Sequence, residues 1–166
     1  MKEWSEKSLA AEGYKLMNAE ITCVSLNFRD HGVLTLDLSL SGGGWGCVYG
    51  GYALGNGYLG AREFKGYASG LEAIMRIMDI VGVDDLINLK GKHVRVATKG
   101  WGNSVKIIGN FIKDDWFDYE SFFEEFCQTN CIVIGNFLHD GNFFSTLFEC
   151  IVSHNGTLER INKAGA

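Results

Sequence analysis

The sequence predicts an α+β domain, in which one main helix packs across an antiparallel β-sheet and short helices flank it. The predicted elements run in the order three strands, a helix, two strands and a helix, whereas α/β proteins alternate strand and helix. Leucines at every second position from 34 to 40 give one strand a single buried face. A length of 166 residues, with 46% apolar and 21% charged residues, is typical of one globular domain.

The N-terminal residues 1–18 are predicted to form a helical extension, because apolar and polar residues alternate at helical spacing over 5–17. From Ala19 the hydrophobic period changes to two, so we expect the core domain to span residues 19–126. Residues 127–166 are expected to form a C-terminal extension packed on the same domain.

A β-hairpin is predicted to open this core. Its first strand begins at Ala19, its turn is Arg29–Gly32, and its second strand carries the ladder of leucines. The segment Trp45–Leu54 is predicted to follow as a third antiparallel strand, with bulges at its glycines.

The stretch from Gly42 to Gly60 is the best candidate for a functional site. Nine of its nineteen residues are glycine, and each costs roughly 0.5–1 kcal/mol inside a regular element. The favoured interpretation is a bulged strand, with a protein-binding loop and a phosphate-binding loop as alternatives. The last lacks the GxxxxGK[ST] pattern. The candidate contact residues are Trp45, Tyr49 and Tyr52, and the candidate loop backbone is Gly43, Gly44, Gly50 and Gly51.

The main helix is predicted to start at a capping box formed by Ser69 and Glu72, and to end at Gly82. We expect it to lay on the sheet an apolar stripe at helical spacing, which consists of Leu71, Ile74, Met75, Met78 and Val81. A single helical turn over Asp84–Leu89 comes next.

Two further strands, His93–Ala97 and Val105–Ile112, are predicted to flank a hairpin loop at 99–103. A last helix is expected to be capped by Asp118 or Ser121 and to carry Phe122, Phe123 and Phe126.

An acidic and aromatic segment, Asp114–Phe126, contains no lysine or arginine. Such a face can imitate nucleic-acid phosphates and engage a basic cleft on a partner protein. The alternative is an amphipathic helix with solvated acids and buried phenylalanines. The candidate contacts are Asp114, Asp115, Asp118, Glu120 and Glu124.

Other chemistry has little support in the sequence. The five cysteines contain no CxxC pair, the four histidines are scattered, and neither HExxH nor GxSxG is present, so we expect no metal, cofactor or catalytic residue. A net charge of −5 argues against direct nucleic-acid binding. Without an apolar leader or an apolar run of membrane-spanning length, we expect a cytoplasmic protein with no membrane contact. Self-association stays open.

Several short segments occur in a characteristic order along the core. They are Asp30-His31-Gly32, Gly50-Gly51-Tyr52-Ala53-Leu54, Val81-Gly82-Val83, Leu89-Lys90-Gly91-Lys92, Val94-Arg95-Val96, Ile108-Gly109-Asn110 and Lys113-Asp114-Asp115-Trp116-Phe117. In these the core, about residues 19–126, resembles a family of small phage and prophage accessory proteins.

The resemblance implies a non-enzymatic protein that binds and inhibits a bacterial host protein, as anti-CRISPR proteins do with defence nucleases. The alternative is a small-molecule or nucleotide-binding protein, sponge-like, that uses the glycine-rich loop; an enzyme comes third.

The chain contains one internal sequence match: Ile108–Asp114 and Ile134–Asp140 are identical at five of seven positions. Duplication of a structural unit and coincidence both stay open as explanations.

Overall fold

The computed structural model describes residues 2–30, 32–56, 64–100 and 105–130. Three predicted features lie mostly or wholly outside these ranges. They are the hairpin loop at 99–103, the second copy of the internal sequence match (Ile134–Asp140) and the C-terminal extension. The fold below is that of the described residues.

The described chain forms a seven-stranded sheet with antiparallel pairing throughout, so the predicted α+β class is confirmed. Its spatial order is β4-β3-β2-β1-β5-β6-β7. The strands are β1 (Lys15–Asp30), β2 (Val33–Gly42), β3 (Trp45–Asn56), β4 (Lys65–Gly66), β5 (His93–Thr98), β6 (Ile107–Asn110) and β7 (Trp116–Asp118). The helices are α1 (Glu6–Ala11), α2 (Ala68–Val81) and α3 (Tyr119–Asn130), with a 3₁₀ turn at Leu86–Leu89.

The N-terminal helix is shorter than the sequence predicts. Helix α1 begins at a capping box of Ser5 and Ser8, and the chain turns at Gly13, where φ is +82°. From Lys15 onward the chain is strand β1, so the helix predicted over 5–17 is wrong in its second half. Pairing with β5, from Lys15 opposite Thr98, satisfies this backbone and overrides a weak helical preference.

The N-terminal segment also packs on the sheet. Trp4 and Leu9 are buried with Ala97, Ile107 and Trp116. Neighbours in the same strands, such as Val96 and Ile108, belong to the main core. Because successive residues of a strand point to opposite faces, α1 covers one face and α2 with α3 the other.

The leucine ladder forms the floor of the main core, as predicted. Leu36, Leu38 and Leu40 are each at most 2% exposed, and they belong to the same buried cluster as Ala73 and Ile77 of α2. Full burial of such a side chain contributes roughly 1.5–3 kcal/mol.

The buried face of α2 differs from the predicted stripe. Leu71 and Met75 are 63% and 61% exposed, while Gly70, Ala73 and Ile77 face the sheet. Small residues let the helix approach closely: a Cβ at Gly70 would lie 2.5 Å from backbone atoms of Leu54. The capping box predicted at Ser69 is also wrong, because the N-cap is Tyr67 and Ser69 is buried within the first turn. The predicted end at Gly82 is confirmed, with φ at +78°.

The described part of the glycine-rich run, residues 42–56, contains the bulged strand β3, as the favoured interpretation predicts. Asp37 pairs with Gly50 and Thr35 with Ala53, so β3 uses three steps where β2 uses two. Gly50 has φ at +123°, and a Cβ there would lie 2.0 Å from the carbonyl oxygen of Leu36. No other residue fits this position without moving the backbone.

Candidate functional site

The loop between β6 and β7 presents an apolar tip to solvent. All five of its residues, 111–115, are exposed, and Ile112 is 88% exposed and Phe111 43%. A single exposed apolar residue is ordinary on a protein surface. This loop differs from an ordinary surface loop because hydrogen bonds tie it to three other parts of the fold, which are β5, α1 and the end of α2.

Asn110 at the end of β6 shapes the tip. Its side-chain oxygen accepts hydrogen bonds from the backbone N–H groups of Ile112 and Lys113, each at 2.9 Å. Its side-chain nitrogen donates to the carbonyl oxygen of Ile80 at 2.7 Å, which ties the loop to the end of α2. The backbone N–H of Asn110 donates to the carbonyl oxygen of Asp115 at 2.9 Å and closes the loop. Asparagine is favoured in such turns because its amide bonds the backbone two residues on.

Arg95 on β5 holds the same loop from the side. Its Nε donates to the carbonyl oxygen of Asn110 at 2.8 Å, and its guanidinium also donates to the carbonyl oxygen of Lys113. The guanidinium lies 4.7 Å from the ring centroid of Trp116 and forms an ion pair with Glu6. Only 12% of the Arg95 side chain is exposed, so we interpret this guanidinium as a group that holds the loop in place.

Asp114 fixes the other end of the loop. Its Oδ1 accepts from the backbone N–H of Glu6 at 2.8 Å and from the indole N–H of Trp116 at 2.6 Å. Helix α1, strand β5 and the end of α2 therefore all hold the loop. A contact surface whose backbone is already ordered loses less conformational entropy on binding.

The glycine-run candidates divide into buried and exposed groups. Tyr49 is 0% exposed, so a partner could reach its side chain only after the core opened. The bulge turns Tyr49 and Tyr52 to the same face, where both rings pack on Tyr119. Trp45 is partly buried over Gly42, where a Cβ would lie 2.1 Å from its indole. Among the loop glycines, Gly43, Gly44 and Gly51 are exposed and Gly50 is half-buried.

The acidic candidates lie on both sides of strand β7. Asp114 and Asp115 precede β7 and Glu120 and Glu124 follow it, and a three-residue strand extends about 10 Å. Asp115 and Glu124 are exposed.

Asp118 is wrong as a partner contact. It is 6% exposed, and its carboxylate accepts from the indole N–H of Trp4 at 3.0 Å. It also accepts from the backbone N–H of Ser121 at 3.1 Å and from the Ser121 hydroxyl at 2.7 Å. Asp118 therefore caps α3, which is the other role that the sequence predicts for it.

A polar cluster lies beside the aromatic core. Lys106 Nζ donates to the Tyr52 hydroxyl at 3.2 Å and pairs with Glu120 at 3.0 Å. Burial raises the pKa of Tyr52, and the hydrogen bond from Lys106 opposes that rise only in part. Burial lowers the pKa of Lys106, but its hydrogen bonds to Glu120 and Tyr52 outweigh this, so the pKa is raised. At neutral pH the lysine stays charged and the phenol stays protonated, so the cluster acts as a structural link between β3 and α3.

A shallow, open groove lies between β1 and the 3₁₀ turn. It has a volume of about 420 Å³ and is lined by Cys23, Val24, Leu26, Asp85, Leu86, Ile87 and Lys90. These residues come from β1 and the 3₁₀ turn, and none belongs to the glycine-rich run.

Comparison with known proteins gives no relative: no protein-family model, no curated protein and no solved structure matches the chain. Within the described ranges, no three His, Cys, Asp or Glu side chains are placed to share a metal ion. None of the helices described here is long and apolar enough to cross a membrane.

The sequence alone missed the residues that build the loop. Phe111 and Ile112 look like the end of a strand, and Arg95 looks like one member of a cationic group. The one usable signal is the turn-forming pair Gly109-Asn110 before two aspartates.

Proposed function

We propose that the protein acts by binding another protein and that the β6–β7 loop is the anchor of this contact. The observation that carries the proposal is the 88% exposure of Ile112 on a backbone fixed by Asn110, Arg95 and Asp114. A few anchor residues usually carry most of the binding energy of a contact, and an anchor on an ordered backbone loses less conformational entropy on binding.

The chemistry of the loop limits the kind of partner. Transfer of Ile112 into an apolar pocket contributes roughly 1.5–3 kcal/mol. Lys113 and Asp115 are both exposed beside this tip and oppose each other in charge, whereas the net charge of −5 on the whole chain favours a partner with a basic surface. Together with the resemblance to phage accessory proteins, this supports a bacterial host protein, such as a defence nuclease with a basic cleft, which the bound chain inhibits in the cytoplasm.

The alternative, a small-molecule or nucleotide binder that uses the glycine-rich loop, has less support in the described residues. The glycine at the bulge lies against the carbonyl oxygen of Leu36, so Gly50 serves the sheet and leaves no room for a ligand there. The groove at β1 lies in another part of the fold.

A pair of matched variants tests the proposal. Ile112→Asp places a charge at the loop tip, and Ile87→Asp places the same charge at another exposed isoleucine, which is 76% exposed on the 3₁₀ turn. Tagged wild type and both variants are used to capture proteins from a bacterial strain with an active DNA-cleaving defence system. We expect the wild type and Ile87→Asp to retain one shared host protein and Ile112→Asp to lose it by about tenfold or more, since 1.4 kcal/mol is a factor of ten.

A functional assay completes the test. The captured protein is purified, its activity is measured with increasing amounts of each variant, and inhibition is expected to weaken in the same proportion as capture. Equal capture by wild type and Ile112→Asp would refute the loop as anchor. Failure of the wild type to retain any host protein would refute the proposed function itself.

A further inference from the structure

Strand β3 leaves most of its outer edge without a partner among the described residues. Strand β4 pairs only with Gly55 and Asn56, and the backbone N–H of Tyr67 donates to the carbonyl oxygen of Leu54 at 2.9 Å. From residue 45 to 53, the described chain pairs with β2 on one side and places no strand on the other. The outward N–H and C=O groups of such an edge form a template for another strand.

This edge has little of the protection that exposed edges usually carry. No charged residue occurs from Gly42 to Gly60, and the chain contains no proline. Val48, on the sheet face that points away from the main core, is 58% exposed. Lysines, prolines and inward-pointing charges are the common means of preventing edge pairing. The bulge at Gly50 and Gly51 limits the regular part of the edge to Trp45–Tyr49. Five residues are enough for one strand pairing.

The side-chain pattern of this strand is self-complementary. Trp45, Cys47 and Tyr49 pack against the main core, whereas Gly46 and Val48 are exposed. Antiparallel pairing about a two-fold axis sets the same strand against itself, so large side chains meet large ones on one face and small ones meet on the other.

Charge favours the same contact. Two copies that each carry a net charge of −5 repel one another over most of their surfaces. The uncharged strand is the place where two identical acidic surfaces approach at the lowest electrostatic cost.

We propose that two copies of this chain pair edge to edge through residues 45–49 of β3, which joins their sheets into one continuous antiparallel sheet. The proposal is independent of the β6–β7 loop, which lies two strands beyond the central strand β1 on the other side of the sheet order.

The first experiment measures mass in solution. Sedimentation equilibrium of the full chain is expected to show a species of twice 18.3 kDa that dissociates on dilution. Val48→Lys places a cation on the edge and is expected to raise the dimer dissociation constant at least tenfold. Ile87→Lys, an equally drastic change at another exposed site, is expected to leave it unchanged. Circular dichroism of each variant checks that the fold is kept.

Amide hydrogen exchange on the wild type locates the contact without any substitution. Amides within 45–49 are expected to exchange more slowly as protein concentration rises, while amides in the central strand β1 keep their rates. A wild type that stays monomeric at millimolar concentration overturns the proposal, as does a dimer whose 45–49 amides gain no protection. Protection of these amides only in a complex with the host protein captured through Ile112 would assign the edge to that partner and overturn self-pairing.

Discussion

Asp118 gives the sharpest test of the fold, because one carboxylate accepts three hydrogen bonds that link the N-terminal segment to the start of α3. It accepts from the indole N–H of Trp4, from the backbone N–H of Ser121 and from the Ser121 hydroxyl. Replacement by alanine removes the cap of α3 and leaves a buried indole N–H without a partner. We expect Asp118→Ala to fold but to be clearly less stable than the wild type.

The magnitude follows from these contacts. Loss of an N-cap side chain costs about 1 kcal/mol, within a range of roughly 0.5–2. A hydrogen bond to a charged group contributes about 1.5–3 kcal/mol, and Asp118 is only 6% exposed. Since the two contributions share one carboxylate and do not simply add, we expect a loss of about 2–4 kcal/mol in the free energy of unfolding.

Urea denaturation followed by tryptophan fluorescence measures this loss as a fall in the midpoint at constant slope. Asp115→Ala is the matched control, because this exposed aspartate should change stability by no more than about 0.5 kcal/mol. Trp4→Phe removes only the donor, so a double-mutant cycle with Asp118→Ala isolates the Trp4–Asp118 hydrogen bond. A loss of less than about 0.5 kcal/mol for Asp118→Ala would refute the assignment of this carboxylate as a buried link.

Two further predictions concern the bulge and the buried phenols. Gly50→Ala is expected to lower the free energy of unfolding by about 3 kcal/mol, because of a strained positive φ and a clash with Leu36. Gly43→Ala is the control: this glycine has open space around it, so the change should be nearly neutral. Equal thermal midpoints for the two variants would contradict this prediction. Burial raises the pKa of Tyr49 and Tyr119 well above the usual range, so the unfolded chain loses these protons at lower pH than the folded chain. Stability is then fully present below about pH 10 and falls as pH rises further, and Tyr49→Phe should make the fall shallower. A fall of unchanged steepness in Tyr49→Phe would contradict burial of this phenol.

The strand framework could be predicted from the sequence because its signal is local. Leu36, Leu38 and Leu40 alternate with polar residues, and this pattern needs no knowledge of the rest of the fold to indicate a half-buried strand. Gly82 likewise marks the end of α2 by its own conformational freedom.

The face of α2 could not be predicted, because its apolar residues cover more of the helix than the sheet can bury. Glu72, Arg76 and Asp79 mark one polar side, but Leu71 and Met75 give as good a stripe as Ala73 and Ile77. Only the close approach at Gly70 selects between them.

The candidate site could not be predicted for a related reason. Ile112 resembles a core residue in sequence. The loop that exposes it is held by hydrogen bonds from Arg95 to the carbonyl oxygens of Asn110 and Lys113, which lie 15 and 18 positions further along the chain. Pattern reasoning places acidic residues on a contact surface, but it does not show that Asp118 is enclosed by Trp4.

The bulge in β3 has a consequence for how the gene can change in length. Between the pairs Asp37–Gly50 and Thr35–Ala53, β3 carries one residue more than β2. Tyr49 and Tyr52 are now three steps apart across the bulge. Deletion of one glycine there would let the strands match residue for residue and would leave the two tyrosines two steps apart, still on one face. This point of the sheet should therefore accept the loss of a codon more readily than a change from glycine to a larger residue, so natural variation there is expected to appear as gaps rather than as substitutions.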